Sequence, residues 1–191
     1  SVCCFYSARR KQFMFASVFA LLTTLTKLSG IFIWPSLLLE FYSSNSSDIK
    51  KTLKHPSFPL MFLPLLGLFS YIDSQFRKSG DWLFVLHELP SKIILLHQVF
   101  FRYLKMIIFT QQRTDPLYFT VLLEFTVGLL FLVLLVQAAR RLRPSYSLYS
   151  LLIYILPTFS GNFISLPRSV LVLFPLFMVL SKFLSSHKSI R

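Results

Sequence analysis

Residues 117 to 136 read LYFTVLLEFTVGLLFLVLLV, a run in which Glu124 is the sole charged side chain. As a helix rising about 1.5 Å per residue it reaches about 30 Å, the thickness of a bilayer's hydrocarbon core. The run ends in a basic group, with Arg140, Arg141 and Arg143 close behind it. Working outward, the same alternation of apolar runs and basic connectors recurs. The other runs are residues 13 to 34 (FMFASVFALLTTLTKLSGIFIW), 58 to 72 (FPLMFLPLLGLFSYI), 146 to 159 (YSLYSLLIYILPTF) and 169 to 184 (SVLVLFPLFMVLSKFL). Only the first of these is long enough to span alone. Short or broken helices suit proteins whose irregular backbone lines a cavity. The pattern predicts an all-α fold, a multi-pass transmembrane helical bundle of about five or six membrane segments, some short or broken. It forms a single integral membrane domain over residues 1 to 191.

Composition agrees. The chain is 54% hydrophobic and 17% aromatic with 14% charged residues, and its mean hydropathy of +0.64 is high for a water-surrounded domain. A net charge of +13 raises the question of nucleic acid, but the basic residues fall between apolar runs and gather on no single polar segment. Nucleic acid is therefore set aside. Basic connectors are the ordinary topogenic signal and favour anionic lipid surfaces. The start, SVCCFYSARRKQ, has neither a methionine nor a signal core and reads as the downstream part of a longer protein, lacking its N-terminal part. Cys3 and Cys4 form no disulfide framework; the simplest reading is two small buried side chains, with acylation as the alternative.

Along the chain, Arg9, Arg10 and Lys11 precede the first long run as a cytoplasmic flank would. Lys27 interrupts that run, followed by Ser29, Gly30 and Pro35. The basic loop SSNSSDIKKTLKHPS at residues 43 to 57 also has a cytoplasmic character, which conflicts with a simple crossing. Either residues 13 to 34 form a broken re-entrant pair hinged near Ser29 and Gly30, or the loop departs from the charge rule. From Ile93 to Phe109, apolar residues mix with His97, Arg102 and Lys105, a pattern suited to an interfacial helix. The arginines of RRLR, residues 140 to 143, mark a cytoplasmic turn. On that orientation Arg168 lies on the extracytoplasmic face and the HKSIR tail returns to the cytoplasm.

No P-loop, GxGxxG, GxSxG, HExxH or CxxC signature is present, and His55, His87, His97 and His187 lack metal-ligand spacing. Three residues stand out. Asp81, in SGDWLFVLHEL with His87 nearby, is either a loop carboxylate available as a base or part of a Gly-Asp turn that caps a helix. Glu124 reads as the one acid deep in an apolar run, where a carboxyl group faces a cavity or a partner. Arg168, in SLPRSVLVLFPLFMVL at residues 165 to 180, stands between two prolines at the mouth of an apolar run. It is either a snorkelling anchor or a guanidinium that holds a phosphate through two parallel hydrogen bonds.

That last stretch resembles the C-terminal motif of the PIG-V family, the mannosyltransferases that add the second mannose of glycosylphosphatidylinositol, together with their bacterial and archaeal relatives. The motif typically reads S-x-P-R-Y-x-x-x-x-F-P-L and looks like the arginine-bearing end of many GT-C membrane glycosyltransferases. YSARRKQFMFASVFALLTTLTKLSGIFIWPSLLLEF is similar to the family's basic flank, apolar run and T-R-x-x-G element, and SGDWLFVLHEL to its G-D-P-L-A-F-L-H-A stretch. Lys27 stands in place of the usual arginine, Ser169 of tyrosine and Trp82 of proline.

The resemblance implies transfer of a sugar, mannose above all, from a polyprenyl-phosphate donor to a lipid-linked or glycan acceptor on the extracytoplasmic side. Arg168 and Lys27 would bind the donor phosphate, His87 and Glu124 would position the acceptor or a loop, and the base would lie upstream of residue 1 or, less centrally, at Asp81. It calls for no cofactor within the chain and leaves a divalent cation open. The setting would be a bacterial or archaeal plasma membrane, or the endoplasmic reticulum membrane in a eukaryote. A non-enzymatic lipid flippase or transporter component is the alternative.

Overall fold

The computed structural model describes residues 1 to 45, 55 to 80, 94 to 109, 116 to 159, 163 and 166 to 188, and among these every regular element is helical. Asp81 and His87 lie outside the described residues. The chain forms two compact units, Ser1–Glu88 and Leu89–Arg191.

The first unit contains α1 (Val2–Arg9), α2 (Phe13–Thr26), a 3₁₀ turn (Leu28–Phe32), α3 (Ile33–Ser44), a second 3₁₀ turn (Pro59–Phe62) and α4 (Leu63–Ser79). Lys11, at φ 61°, reverses the chain between α1 and α2, and the N–H of Gln12 closes the turn on the carbonyl of Ser7 at 3.0 Å. Helix α2 buries Phe13, Ala16, Ser17, Ala20 and Thr24, a stripe of mostly small residues at helical spacing. Small residues let backbones approach: a Cβ on Gly67 of α4 would collide with the Thr24 hydroxyl. The opposite face of α2 carries the large apolar side chains Met14, Phe15, Phe19 and Leu22, all exposed.

The expected span over residues 13 to 34 is not one helix. It stops at Thr26 after 14 residues, about 21 Å of rise. Lys27 is extended (φ −152°, ψ 132°), and the 3₁₀ turn that follows is locked by the Gly30 N–H donating to the Lys27 carbonyl at 2.8 Å. Gly30 presses on the backbone of Thr23 so closely that any Cβ would collide with that carbonyl. The break therefore falls where Ser29 and Gly30 placed a hinge. At the far end of the unit, Gly80 takes the left-handed conformation (φ 72°) and caps α4 through its N–H to the Phe76 carbonyl at 2.7 Å.

The second unit contains α5 (Leu96–Phe109), α6 (Pro116–Arg141), α7 (Pro144–Phe159), α8 (Leu166–Val170) and α9 (Phe174–Lys188). Within α6, Tyr118–Arg141 is long and apolar enough to cross a membrane; Phe13–Thr26, Pro144–Leu156 and Phe174–Phe183 are shorter apolar helices. Of the five or six segments expected, one thus meets the length of a span among the described residues. At the arginine turn the Ser147 hydroxyl donates to the Ala138 carbonyl at 3.1 Å, and Pro144 begins α7 where no helical N–H partner is needed. Helix α7 runs back along α6 until the Tyr154 hydroxyl donates to the Gly128 carbonyl at 2.7 Å.

The last run, expected as one segment, is split. Phe163 lies beside Gly128, midway along α6, where an added Cβ would meet its ring at 3.2 Å. Phe174, after α8, instead packs against Tyr146 (5.9 Å) and Tyr149 (6.2 Å), in the first turns of α7 beside the arginine turn. Phe177 then meets Phe131 at 6.0 Å. The chain from Phe163 to Phe174 therefore dips back toward the arginine turn, and α9 leaves that end again in the same direction as α7. Of the HKSIR tail, expected on the side of RRLR, residues 189 to 191 lie outside the described residues.

Candidate functional site

Arg168 sits on this dipping segment, in the short helix α8 whose Leu166, Ser169 and Val170 are buried. The sequence placed it at the outer mouth of an apolar run. Along the helices it falls between the level of Gly128, where Phe163 packs, and the level of Tyr146, where Phe174 packs. Its side chain is exposed, and among the described residues it has no hydrogen-bond or ion-pair partner. The neighbouring backbone is held tightly: the Leu166 N–H donates to the Phe163 carbonyl at 2.9 Å, and Val172 and Leu173 donate to Ser169 and Val170 at 3.2 and 2.9 Å.

Glu124 has a partner. Its side chain is 6% exposed, and its Oε2 accepts a hydrogen bond from the Tyr103 hydroxyl at 2.6 Å. The same hydroxyl accepts the N–H of Phe163 at 2.8 Å. Because its oxygen receives the amide proton, its own proton must point to Glu124, which fixes the direction of the chain of bonds. The rings close around it: Phe163 lies 4.9 Å from Tyr103 and 5.1 Å from Phe100, and Phe100 lies 5.8 Å from Phe125. Glu124 thus meets helix α5 through Tyr103, whose hydroxyl also holds the entrance of the Arg168 segment.

Lys27 ends α2 in the first unit, exposed at the break, whereas Arg168 belongs to the second. A second buried acid, which the sequence reading passed over, is Glu40 in α3. It is 5% exposed and lies 3.7 Å from Arg9 Nη1. Its signal was present: LLLEF places an acid inside an apolar helix behind a basic flank, the same pattern that singled out Glu124. Tyr103 was also missed. A tyrosine at helical spacing from Val99, between Arg102 and Lys105, reads as one more amphipathic ring until its hydroxyl's destination is known.

The expectation for the cysteines is half correct. Cys4 is buried and its thiol is pushed up to about 12 by loss of solvent, whereas Cys3 is exposed. Helix α5 keeps the mixed surface expected of residues 93 to 109. Val99 and Tyr103 are buried, while Phe101, Leu104 and Ile108 stand exposed beside Arg102 and Lys105.

No protein-family model matches the sequence, and no curated protein or solved structure is significantly similar to it.

Proposed function

We propose that this chain is a multi-pass integral membrane protein that binds the phosphate of a polyprenyl lipid at Arg168 and serves sugar transfer from that lipid to a lipid-linked or glycan acceptor. The observation that carries the phosphate reading is an exposed arginine without a described partner on a backbone segment that dips along a membrane-length helix. An ionisable side chain at membrane depth is costly and belongs beside a polar cavity or a counter-charge. Irregular backbone at that depth is tolerated where it lines such a space. The two non-bridging oxygens of a phosphodiester, and the monoester left once the sugar departs, meet a guanidinium through two parallel, charge-assisted hydrogen bonds.

The membrane reading is supported by side-chain distribution. Helix α2 buries the small or polar Ala16, Ser17, Ala20 and Thr24 while exposing the large apolar Phe15 and Phe19, and α6, which buries Phe131, Leu134 and Leu135 on one face, leaves Phe119, Leu130 and Val133 exposed on the other. That arrangement inverts a water-surrounded protein and suits lipid, where association relies on close packing of small residues. Helix α5, with its basic and apolar exposed stripes, fits the headgroup boundary.

The step from lipid phosphate to mannosyl transfer rests on the resemblance of SLPRSVLVLFPLF to the PIG-V motif. In that reading the guanidinium stabilises the lipid phosphate as negative charge develops on it during departure. The approach of the donor phosphate from the extracytoplasmic side rests on that resemblance, while the fold sets Arg168 between the level of Gly128 and the arginine turn. The test is sugar transfer by the full-length protein in proteoliposomes supplied with radiolabelled polyprenyl-phosphate mannose. Arg168→Ala should lower transfer on the order of ten- to a hundredfold, the loss expected for charge-assisted hydrogen bonds. Parental transfer by a correctly folded Arg168→Ala protein refutes the assignment.

A further inference from the structure

The hydrogen-bond chain from α6 to the Arg168 segment has a consequence for binding. Glu124 is fixed on the longest helix of the unit, Tyr103 on α5, and Phe163 at the entrance of the dip; the three are linked by bonds of 2.6 and 2.8 Å. The carbonyl of Phe163 continues the chain by accepting the Leu166 N–H at 2.9 Å, which starts α8. Phe163 and Leu166 are fully buried, and Val170 closes the other end of α8 at 2% exposure. The anchors at Phe163, Leu166 and Val170 are thus buried, Pro167 is half-buried, and Arg168 is the exposed side chain of α8.

We infer that Tyr103 and Glu124 are a positioning pair: through the Phe163 amide they set the place of Arg168, and so the affinity for a polyprenyl phosphate, without touching the lipid themselves. This inference rests on the phosphate reading of Arg168. Glu124 acts as a hydrogen-bond acceptor, so glutamine, which keeps an acceptor oxygen, should replace it, and leucine should not. Tyr103→Phe keeps the ring and its packing but removes the one acceptor of the Phe163 N–H.

The measurement is binding of undecaprenyl phosphate to the full-length protein in phosphatidylcholine nanodiscs, together with hydrogen exchange at the Phe163 amide. Tyr103→Phe and Glu124→Leu should each weaken binding roughly three- to tenfold, the range for one buried hydrogen bond between membrane helices, and both should speed exchange at Phe163. Glu124→Gln should match the parent in both readouts. Tyr103→Phe preserves the fold by shape, so it decides the matter if Glu124→Leu does not fold.

Parental binding by Tyr103→Phe, with binding lost in Arg168→Ala, overturns the positioning pair alone. Parental binding by Arg168→Ala overturns the phosphate reading itself. Weakened binding in Glu124→Gln equal to that in Glu124→Leu shows a role for charge and overturns the acceptor role. Displacement of the lipid by an equal concentration of inorganic phosphate overturns the lipid as the source of the phosphate.

Discussion

Glycine positions report where backbones meet, and they make different predictions. At Gly30 the obstruction is the Thr23 carbonyl, part of a helix that cannot move aside, whereas at Gly128 it is the edge of the Phe163 ring at 3.2 Å. Overpacking a core costs about 1–3 kcal/mol. Gly30→Ala should fall at the upper end of that range and Gly128→Ala at or below the lower end, as read by thermal unfolding in detergent. Equal losses would contradict the packing described. The cysteines give a second residue-level prediction. With its thiol pushed up to about 12 by burial, Cys4 stays protonated and shielded through pH 9, while exposed Cys3 is open to reagent. A maleimide should modify Cys3 in the folded protein and reach Cys4 only on unfolding; equal rates at pH 8 would show that α1 does not pack as described.

At the scale of elements, the reading of the sequence was good where one kind of signal ruled and poor where two competed. The run from 117 to 136 carries one charge, Glu124, and no cluster of breaking residues, and it became the core of α6. The run from 13 to 34 carried the same apolar composition, but Lys27, Ser29 and Gly30 marked a break, and the chain obeys the break. The last run hid its split because Leu171 and Val172 are as apolar as their neighbours; only the pairing of Phe174 with Tyr146 and Tyr149 reveals the dip, and such a long-range pairing leaves no local trace. In the candidate site, Glu124 and Arg168 were legible as charges out of place. Tyr103 and Phe163 were not, because their roles depend on a hydroxyl and an amide meeting across residues far apart in sequence. The helix pair α2 and α4 offers the matching test. Gly67→Leu should destabilise the first unit by at least 1 kcal/mol by forcing the stripe of Ala16, Ala20 and Thr24 away from α4. An unchanged melting temperature would mean that the two helices are not in close contact.

For the whole molecule, the direction of α9 yields a topological prediction that differs from the charge-based one. The arginine turn before α7 and the end of α9 should lie on opposite faces. In a cysteine-free background, Pro144→Cys should react with an impermeant maleimide only after permeabilisation, and Ser185→Cys should react in intact cells; labelling of both from one side contradicts the dip. Each of these statements depends on lipid covering the exposed apolar faces, and α6 tests that most directly. Nitroxides placed singly at Phe119, Leu123, Leu130, Val133 and Val136, all exposed on α6, report access to oxygen and to a water-soluble nickel chelate in liposomes. The account predicts oxygen access that peaks near Leu130 and nickel access that is lowest there; high nickel access along the whole series would place this face in water and contradict it.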